Sequence, residues 1–130
     1  MTNKIKVALL GLGNVGEKFA EHFLEQIQEG KRPIEIVAVA HHHTDSPVAL
    51  GFSQNGVPVY EDAAEVIKMG ENVDIIFDLT GSSEVRQNLR KGMMDSGNKH
   101  TVIAPEVFAN LLWMFFDEDV LLEGRRAGGY

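Results

Sequence analysis

A glycine-rich segment near the N-terminus constrains the fold of this chain more than any other feature. The residues Gly11, Leu12, Gly13, Asn14, Val15 and Gly16 match the pattern G-x-G-x-x-G. The segment follows an apolar stretch, residues 4–10, which is typical of a buried strand. It opens a second stretch, residues 14–29, whose apolar positions recur at helical spacing. A glycine loop between a strand and a helix is the arrangement that binds the pyrophosphate of a dinucleotide.

Each glycine of this loop has a separate physical role. Gly11 permits the tight turn after the strand, and Gly16 lets the helix pack close to that strand. Because Gly13 has no Cβ, the pyrophosphate can approach its backbone. Amide groups at the helix N-terminus and the helix dipole then hold the phosphates. The alternative is a glycine turn without a ligand, which the strand–loop–helix context disfavours.

Strands alternate with helices along the rest of the chain. The predicted strands are residues 4–10, 34–40, 56–60, 73–79 and 100–104, and Pro58 places the third of them at a sheet edge. The predicted helices are residues 14–29, Glu61 or Asp62 to 70, 83–96 and 106–116. Ser83 is the predicted cap of the third helix and Gly97 its stop, and Pro105 is predicted in the first turn of the fourth. Residues 41–55 are predicted to form a polar loop. The alternation predicts an α/β, Rossmann-type doubly wound parallel sheet of about five strands with helices on both faces.

Length and composition restrict the possible functions. The 130 residues suit one domain, predicted over residues 1–116 with a polar tail at 117–130, and they are expected to be too few for a complete two-domain dehydrogenase. The net charge of −7 makes nucleic acids and anionic membranes poor partners. No cysteine is present, which excludes disulfides and thiolate chemistry and fits a cytoplasmic location. We expect neither a signal peptide nor a membrane span.

The residue after the second predicted strand bears on the choice of cofactor. NAD-specific domains usually carry an acid there, which binds the ribose hydroxyls. His41 holds that position here, whereas Glu35 lies too early and Asp45 too late. No arginine is present nearby to attract the 2′-phosphate of NADP. We therefore expect His41 near the adenosine ribose, and NAD and NADP both remain open.

Three consecutive histidines raise the question of a metal site. In an extended segment adjacent side chains point to opposite faces, so only His41 and His43 could share an ion, with Asp45 as the nearest carboxylate. A solvated loop is the favoured interpretation, and no metal site is predicted.

The turn after the fourth predicted strand is a second candidate for ligand binding. In an open parallel sheet, ligands lie beyond the carboxyl ends of the strands. Thr80, Gly81 and Ser82 are therefore predicted to line the nicotinamide side. Asp78 is either a catalytic acid or, as we favour, a cap of the following loop.

The glycine loop, together with Asp78-Leu79-Thr80-Gly81, resembles the N-terminal NAD(P)-binding domain of homoserine dehydrogenase. It is similar, more loosely, to the cofactor domains of aspartate dehydrogenase, dihydrodipicolinate reductase and the glucose–fructose oxidoreductase group, the last also through residues 57–62. The resemblance implies that Gly11, Gly13, Asn14, Val15 and Gly16 meet the pyrophosphate and that Thr80 and Gly81 lie at the nicotinamide.

One departure from this family affects the expected activity. The resemblance implies a lysine after the fifth strand, but Ala104-Pro105-Glu106 stands here, and catalytic residues remain unknown. Two functions stay open. The chain is either a stand-alone cofactor domain or subunit of an oxidoreductase related to homoserine dehydrogenase, with a substrate site from a separate substrate-domain chain, or a non-catalytic dinucleotide-binding regulatory or sensor module.

The last predicted helix is apolar on nearly all sides. Residues 107–116 include only one polar side chain, Asn110. Such a helix is either core or has a second buried face, which would be a homodimer interface or the dock for a substrate domain. Trp113 and Phe116 are the predicted anchors of that interface.

Overall fold

Five parallel strands form one sheet in the computed structural model, which describes residues 4–11, 20–21, 24–25 and 33–116. The strands are β1 (Ile5–Leu10), β2 (Ile34–Ala40), β3 (Val59–Tyr60), β4 (Ile75–Asp78) and β5 (Val102–Pro105). Their order across the sheet is β3-β2-β1-β4-β5, and every neighbouring pair is parallel. The chain therefore reverses its direction of progress beside β1, where ligands of open α/β sheets bind.

Helices cover both faces of this sheet, which confirms the predicted fold class. They are α1 (Pro47–Gln54), α2 (Ala64–Ile67), α3 (Ser83–Ser96) and α4 (Glu106–Phe116), with a 3₁₀ turn at Gly70–Asn72. One core joins α1 and α4 to the sheet around Leu9, Phe52 and Phe77. The other joins α2 and α3 to the opposite face around Leu10, Ile76 and Leu89. Residues 20, 21, 24 and 25 are helical, as predicted, and the rest of the predicted first helix and the tail 117–130 lie outside the described residues.

Helix α1 corrects the prediction of a polar loop over residues 41–55. Ser46 caps its N-terminus, because its Oγ accepts a hydrogen bond from the Ala49 amide at 3.3 Å, and Pro47 starts the first turn. Val48, Ala49 and Phe52 are buried on one side of the helix. Eight residues are too few for a stable isolated helix, so the burial of this side against the sheet is what stabilises it.

Other boundaries differ from the predictions by a few residues. Strand β3 is shorter than predicted but lies at the sheet edge as expected. The helix predicted from Glu61 or Asp62 shortens to α2, whose Ala64 amide donates to Asp62 Oδ1 at 2.9 Å. Pro105 ends β5 rather than starting a helix. Proline has no amide hydrogen to donate, and an edge strand such as β5 tolerates this because only one of its sides pairs with another strand.

The cap of α3 is Ser82 rather than the predicted Ser83. Ser82 Oγ accepts a hydrogen bond from the Val85 amide at 3.2 Å, and its backbone is extended, as a capping residue requires. At the other end Gly97 terminates the helix in the left-handed conformation, as predicted.

Within the described residues, no helix combines the length and the apolar character needed to cross a lipid bilayer.

Candidate cofactor site

The ends of β2, β1 and β4 meet at Gly11. Its amide donates to the Ala40 carbonyl at 2.8 Å, and its φ of +83° is strained for any other residue type. A Cβ on Gly11 would lie 2.9 Å from Thr80 Cγ2 and 3.0 Å from Thr80 Cα. The start of the glycine loop is therefore pressed against the turn after β4. The other predicted loop residues, Leu12, Gly13, Asn14, Val15 and Gly16, lie outside the described residues.

A chain of hydrogen bonds fixes the turn after β4. Asp78 Oδ1 accepts from the Thr80 amide at 3.1 Å and from Thr80 Oγ1 at 2.6 Å. Thr80 Oγ1 in turn accepts from the Ser82 amide at 3.1 Å. Asp78 is only 1% exposed, so its role as the cap of this loop is confirmed.

The second oxygen of Asp78 has different surroundings. Oδ2 is buried and has no hydrogen-bond partner in the part of the chain that the structure describes. Arg86 Nε, on α3, lies 3.9 Å away. The carboxylate therefore holds the turn on one side and faces a cation of the next helix on the other, which stabilises the junction between β4 and α3.

A cleft of about 840 Å³ opens at the carboxyl ends of β1 and β2 and runs between α2 and α3. Three of the predicted site residues line it together, namely Gly11, His41 and Thr80. Leu10, Ala40, Val85 and Leu89 supply apolar surface, and the polar lining comes from His42, Glu61, Asp62, Asn88, Lys91 and Asp95. A mostly apolar concavity with a few polar groups is the usual form of a small-molecule site.

Two other predicted site residues, Gly81 and Ser82, are not among those that line this cleft. Gly81 has a φ of +67°, and the nearest atom to a Cβ built on it is Glu106 Oε2, at 3.9 Å. It therefore faces the start of α4. Ser82 has its hydroxyl engaged in the cap of α3. Of the predicted residues in this turn, only Thr80 therefore lines the cleft.

Glu61 and Asp62 line the cleft but are not among the predicted site residues. They follow β3, where the sequence predicts only the start of a helix. Their proximity to His41 results from the pairing of β2 with β3, in which the His41 amide donates to the Tyr60 carbonyl at 2.8 Å. The signal in the sequence was an acidic pair directly after a strand, the position where parallel sheets bind ligands.

Helices α2 and α3 approach closely on the wall of the cleft. A Cβ on Gly92 would lie 2.9 Å from two side-chain carbons of Ile67, Cδ1 and Cγ2. Both residues line the cleft, so their contact sets the separation of its two helical walls.

The three histidines do not form a metal centre with other side chains in the described ranges. The His41 and His43 rings lie edge to face with centroids 5.7 Å apart. No group of three or more His, Asp or Glu side chains that could hold a metal ion occurs among residues 4–11, 20–21, 24–25 and 33–116.

Asp74, whose pKa is shifted, lies at the amino ends of the strands, opposite the cleft. Asp74 Oδ2 accepts from the Lys6 amide at 2.8 Å, and Oδ1 contacts His100 Nε2 at 2.5 Å. The Lys6 hydrogen bond and then the His100 contact hold the pKa of Asp74 below its ordinary value of 3.8. Because Asp74 precedes β4 while the cleft lies beyond the other ends of the strands, this cluster joins strands and is remote from the cleft.

The fold and the cleft together define a dinucleotide-binding domain. Three features fit such a domain, namely the topological reversal beside β1, the close approach of Gly11 to Thr80 and the apolar cleft with its polar rim. Residues 11–110 match the family model described as homoserine dehydrogenase, NAD binding domain. The chain belongs to this family, and the predicted resemblance to homoserine dehydrogenase is confirmed. A nicotinamide dinucleotide is accordingly the ligand class that the family supports.

Solved structures agree with this assignment. Homoserine dehydrogenase from Thiobacillus denitrificans is 28% identical, with a TM-score of 0.54 over 78% of this chain and 23% of that chain. The S. aureus homoserine dehydrogenase at pH 8.5 is 25% identical, with a TM-score of 0.57 over 92% of this chain. GenD2 from gentamicin A biosynthesis, in complex with NAD, is 16% identical with a TM-score of 0.53 over 79% of this chain and 27% of that chain, and shows the same fold. A search of curated protein sequences gave no match.

The likeness extends over only part of these enzymes. This chain spans 31% of the S. aureus homoserine dehydrogenase chain. The chain is therefore an NAD-binding domain related to homoserine dehydrogenase, and the activity of the whole enzymes is a separate question.

Proposed function

We propose that this chain binds NAD or NADP in the cleft at the carboxyl ends of β1 and β2. Residues 11–16 hold the pyrophosphate, His41 lies at the adenosine ribose, and Thr80, Gly81 and Ser82 line the nicotinamide side. The observation that carries the proposal is the contact between Gly11 and Thr80, because a Cβ at Gly11 would be only 2.9 Å from Thr80 Cγ2. This contact joins the start of the glycine loop to the β4–α3 turn at the cleft.

The protein groups have distinct tasks in such a complex. The bound cofactor would supply hydride transfer, and the chain would supply binding and orientation. The Asp78–Thr80–Ser82 hydrogen bonds keep the β4–α3 turn in one conformation, so Thr80 meets the cofactor without further ordering. Leu10, Ala40 and Leu89 exclude water from the apolar part of the cleft.

We further propose that the chain is the cofactor subunit of an oxidoreductase related to homoserine dehydrogenase. The substrate site would come from a partner chain. Support comes from the family match, which extends over residues 11–110 and is to the NAD binding domain of homoserine dehydrogenase.

A second candidate function is a non-catalytic module that responds to the bound dinucleotide. It is favoured by the end of β5, where Pro105 and then Glu106 stand at the position at which the resemblance implies a lysine. Glu106 Oε2 lies 3.9 Å from a Cβ built on Gly81, so this position carries an acid beside the β4–α3 turn.

Calorimetric titration with NAD and NADP tests the binding proposal. We expect saturable binding by the wild type and none by Gly13→Val, because a side chain at Gly13 would occupy the position of the pyrophosphate. Gly97→Asn is the matched control, since Gly97 caps α3 in open space and asparagine tolerates the left-handed conformation. Absence of binding by the wild type, or equal affinity in Gly13→Val, would contradict the proposal.

A turnover assay separates the two candidate functions. The isolated chain is expected to leave homoserine unoxidised when the absorbance of reduced nicotinamide is followed with either cofactor. Turnover that appears on adding a substrate-domain chain supports the oxidoreductase subunit. Robust turnover by the pure chain would contradict both candidates.

A further inference from the structure

The ends of β2 and β3 bring an acid next to the position where NAD-specific domains carry one. Ala40 pairs with Tyr60 in the sheet, and the His41 amide donates to the Tyr60 carbonyl at 2.8 Å. The next residue on the β3 side is Glu61. Neighbouring strands lie about 4.8 Å apart, so Glu61 emerges roughly one strand spacing from His41. Both residues line the same cleft.

Glu61 has a carboxylate that the described residues leave without a partner. Asp62, beside it, accepts the Ala64 amide at 2.9 Å and so is engaged at the start of α2. Glu61 is exposed and makes no hydrogen bond or ion pair within the described ranges. Its oxygens are therefore available to accept hydrogen bonds from a ligand at the strand ends.

Among the described residues that line the cleft, the histidines lie at the strand ends and the one basic side chain lies farther away. Among the described residues that line the cleft, Lys91 is the only lysine or arginine, and it lies on α3 eight residues after Ser83. That spacing corresponds to about 12 Å along the helix, away from the strand ends. His41, His42, Glu61 and Asp62 all line the cleft, and none of these four residues carries a permanent positive charge.

We propose that Glu61 accepts hydrogen bonds from the adenosine ribose hydroxyls and thereby selects NAD over NADP. The inference rests on the proposed binding of a nicotinamide dinucleotide in this cleft. Glu61 takes, from the third strand, the role that an acid at the end of the second strand takes in other NAD-specific domains. The 2′-phosphate of NADP would lie against the carboxylates of Glu61 and Asp62, and like charges at that distance repel.

The experiment measures the dissociation constants of NAD and NADP for the wild type and three variants. We expect the wild type to bind NAD at least about tenfold more tightly, since one charge-assisted hydrogen bond contributes about that factor. Glu61→Gln should lower the ratio of NAD to NADP affinity about tenfold, and Glu61→Arg should reverse the preference. Glu71→Gln is the control. It removes the same charge from the 3₁₀ turn before β4, at the amino ends of the strands, and should leave the ratio unchanged.

The outcomes separate this inference from the proposed function. Binding of both cofactors with equal affinity, tighter binding of NADP through the imidazoles of His41 and His42, or an unchanged ratio in Glu61→Gln would overturn the role of Glu61. Each of these results would leave dinucleotide binding intact. If the wild type binds neither cofactor, the proposed function fails, and the role of Glu61 fails with it.

Discussion

Gly11 and Gly56 share almost the same backbone torsion but differ in their surroundings. Their φ angles are +83° and +82°, yet a Cβ on Gly11 would meet Thr80 at 2.9 Å, whereas nothing lies within 4 Å of one on Gly56. Alanine at either position should cost about 1–2 kcal/mol for the left-handed backbone. Gly11→Ala should cost roughly 1–3 kcal/mol more because of the steric conflict with Thr80. Urea unfolding of both variants measures the difference, and equal losses would contradict a tight junction at Gly11.

Asp74 gives the folded state a defined dependence on pH. Hydrogen bonds from the Lys6 amide and His100 lower the pKa of Asp74 in the folded chain, so folding favours its charged form. The stabilisation is present above the unfolded pKa and is lost as the pH falls through the lower, folded pKa. Asp74→Asn should therefore lower the melting temperature at neutral pH, and its difference from the wild type should shrink at strongly acidic pH.

Asp45→Asn removes the same charge from an exposed loop position and is the control for the Asp74 variant. Thermal unfolding followed by circular dichroism over a series of pH values measures both. A deficit in Asp74→Asn that stays constant down to the lowest pH would show that the carboxylate charge does not contribute.

Helix α1 illustrates how burial stabilises a short element. Phe52 is fully buried beneath the helix, whereas Leu50, on the same helix, is 45% exposed. Phe52→Ala should lower the free energy of unfolding by about 3–5 kcal/mol, through lost burial and the cavity left behind. Leu50→Ala removes a side chain of similar type from the outer surface and should cost under about 1 kcal/mol. Comparable losses in a denaturant titration would mean that α1 does not pack as a helix against the sheet.

The elements that sequence alone predicted well are those with a long, uniform signal. Strand β2 and helix α4 have the predicted bounds because continuous runs of branched or apolar residues define them. Helix α1 was not predicted because it is short and contains Pro47 and Gly51. Its three buried positions in eight residues are too few to show a helical periodicity of apolar residues. At the site, the strand ends and the residues of their turns could be predicted from the sequence. The position of Glu61 beside His41 could not, because it depends on the pairing of β2 with β3.

Across the whole molecule, one helix presents an apolar surface on its outer side. Ala109 of α4 is buried against the sheet, while Val107, Phe108, Leu111 and Met114 are between 46% and 71% exposed. The side chains of Trp113 and Phe116, the predicted anchors, lie outside the described part. We propose that this stripe is the homodimer interface, because apolar patches of this kind seldom stay uncovered and two-fold pairing is the commonest closure.

Light scattering tests this self-association. The wild type should behave as a dimer, and Leu111→Glu should yield a monomer, because a charge in the centre of a buried apolar contact is strongly unfavourable. Met94→Glu is the control, since Met94 is an exposed apolar residue of α3 on the other face of the sheet, and it should remain dimeric. A monomeric wild type would contradict the homodimer and leave the stripe to a partner of different sequence.

The contact between Gly92 and Ile67 makes the width of the cleft sensitive to a single substitution. Glycine inside a helix costs about 1 kcal/mol relative to alanine, yet an alanine Cβ here would lie 2.9 Å from Ile67 carbons on the facing helix. One added methyl group would move the two walls apart, with every polar group of the site retained. In the proposed complex, a substitution at position 92 would therefore change the affinity for the nucleotide without altering any residue proposed to contact it.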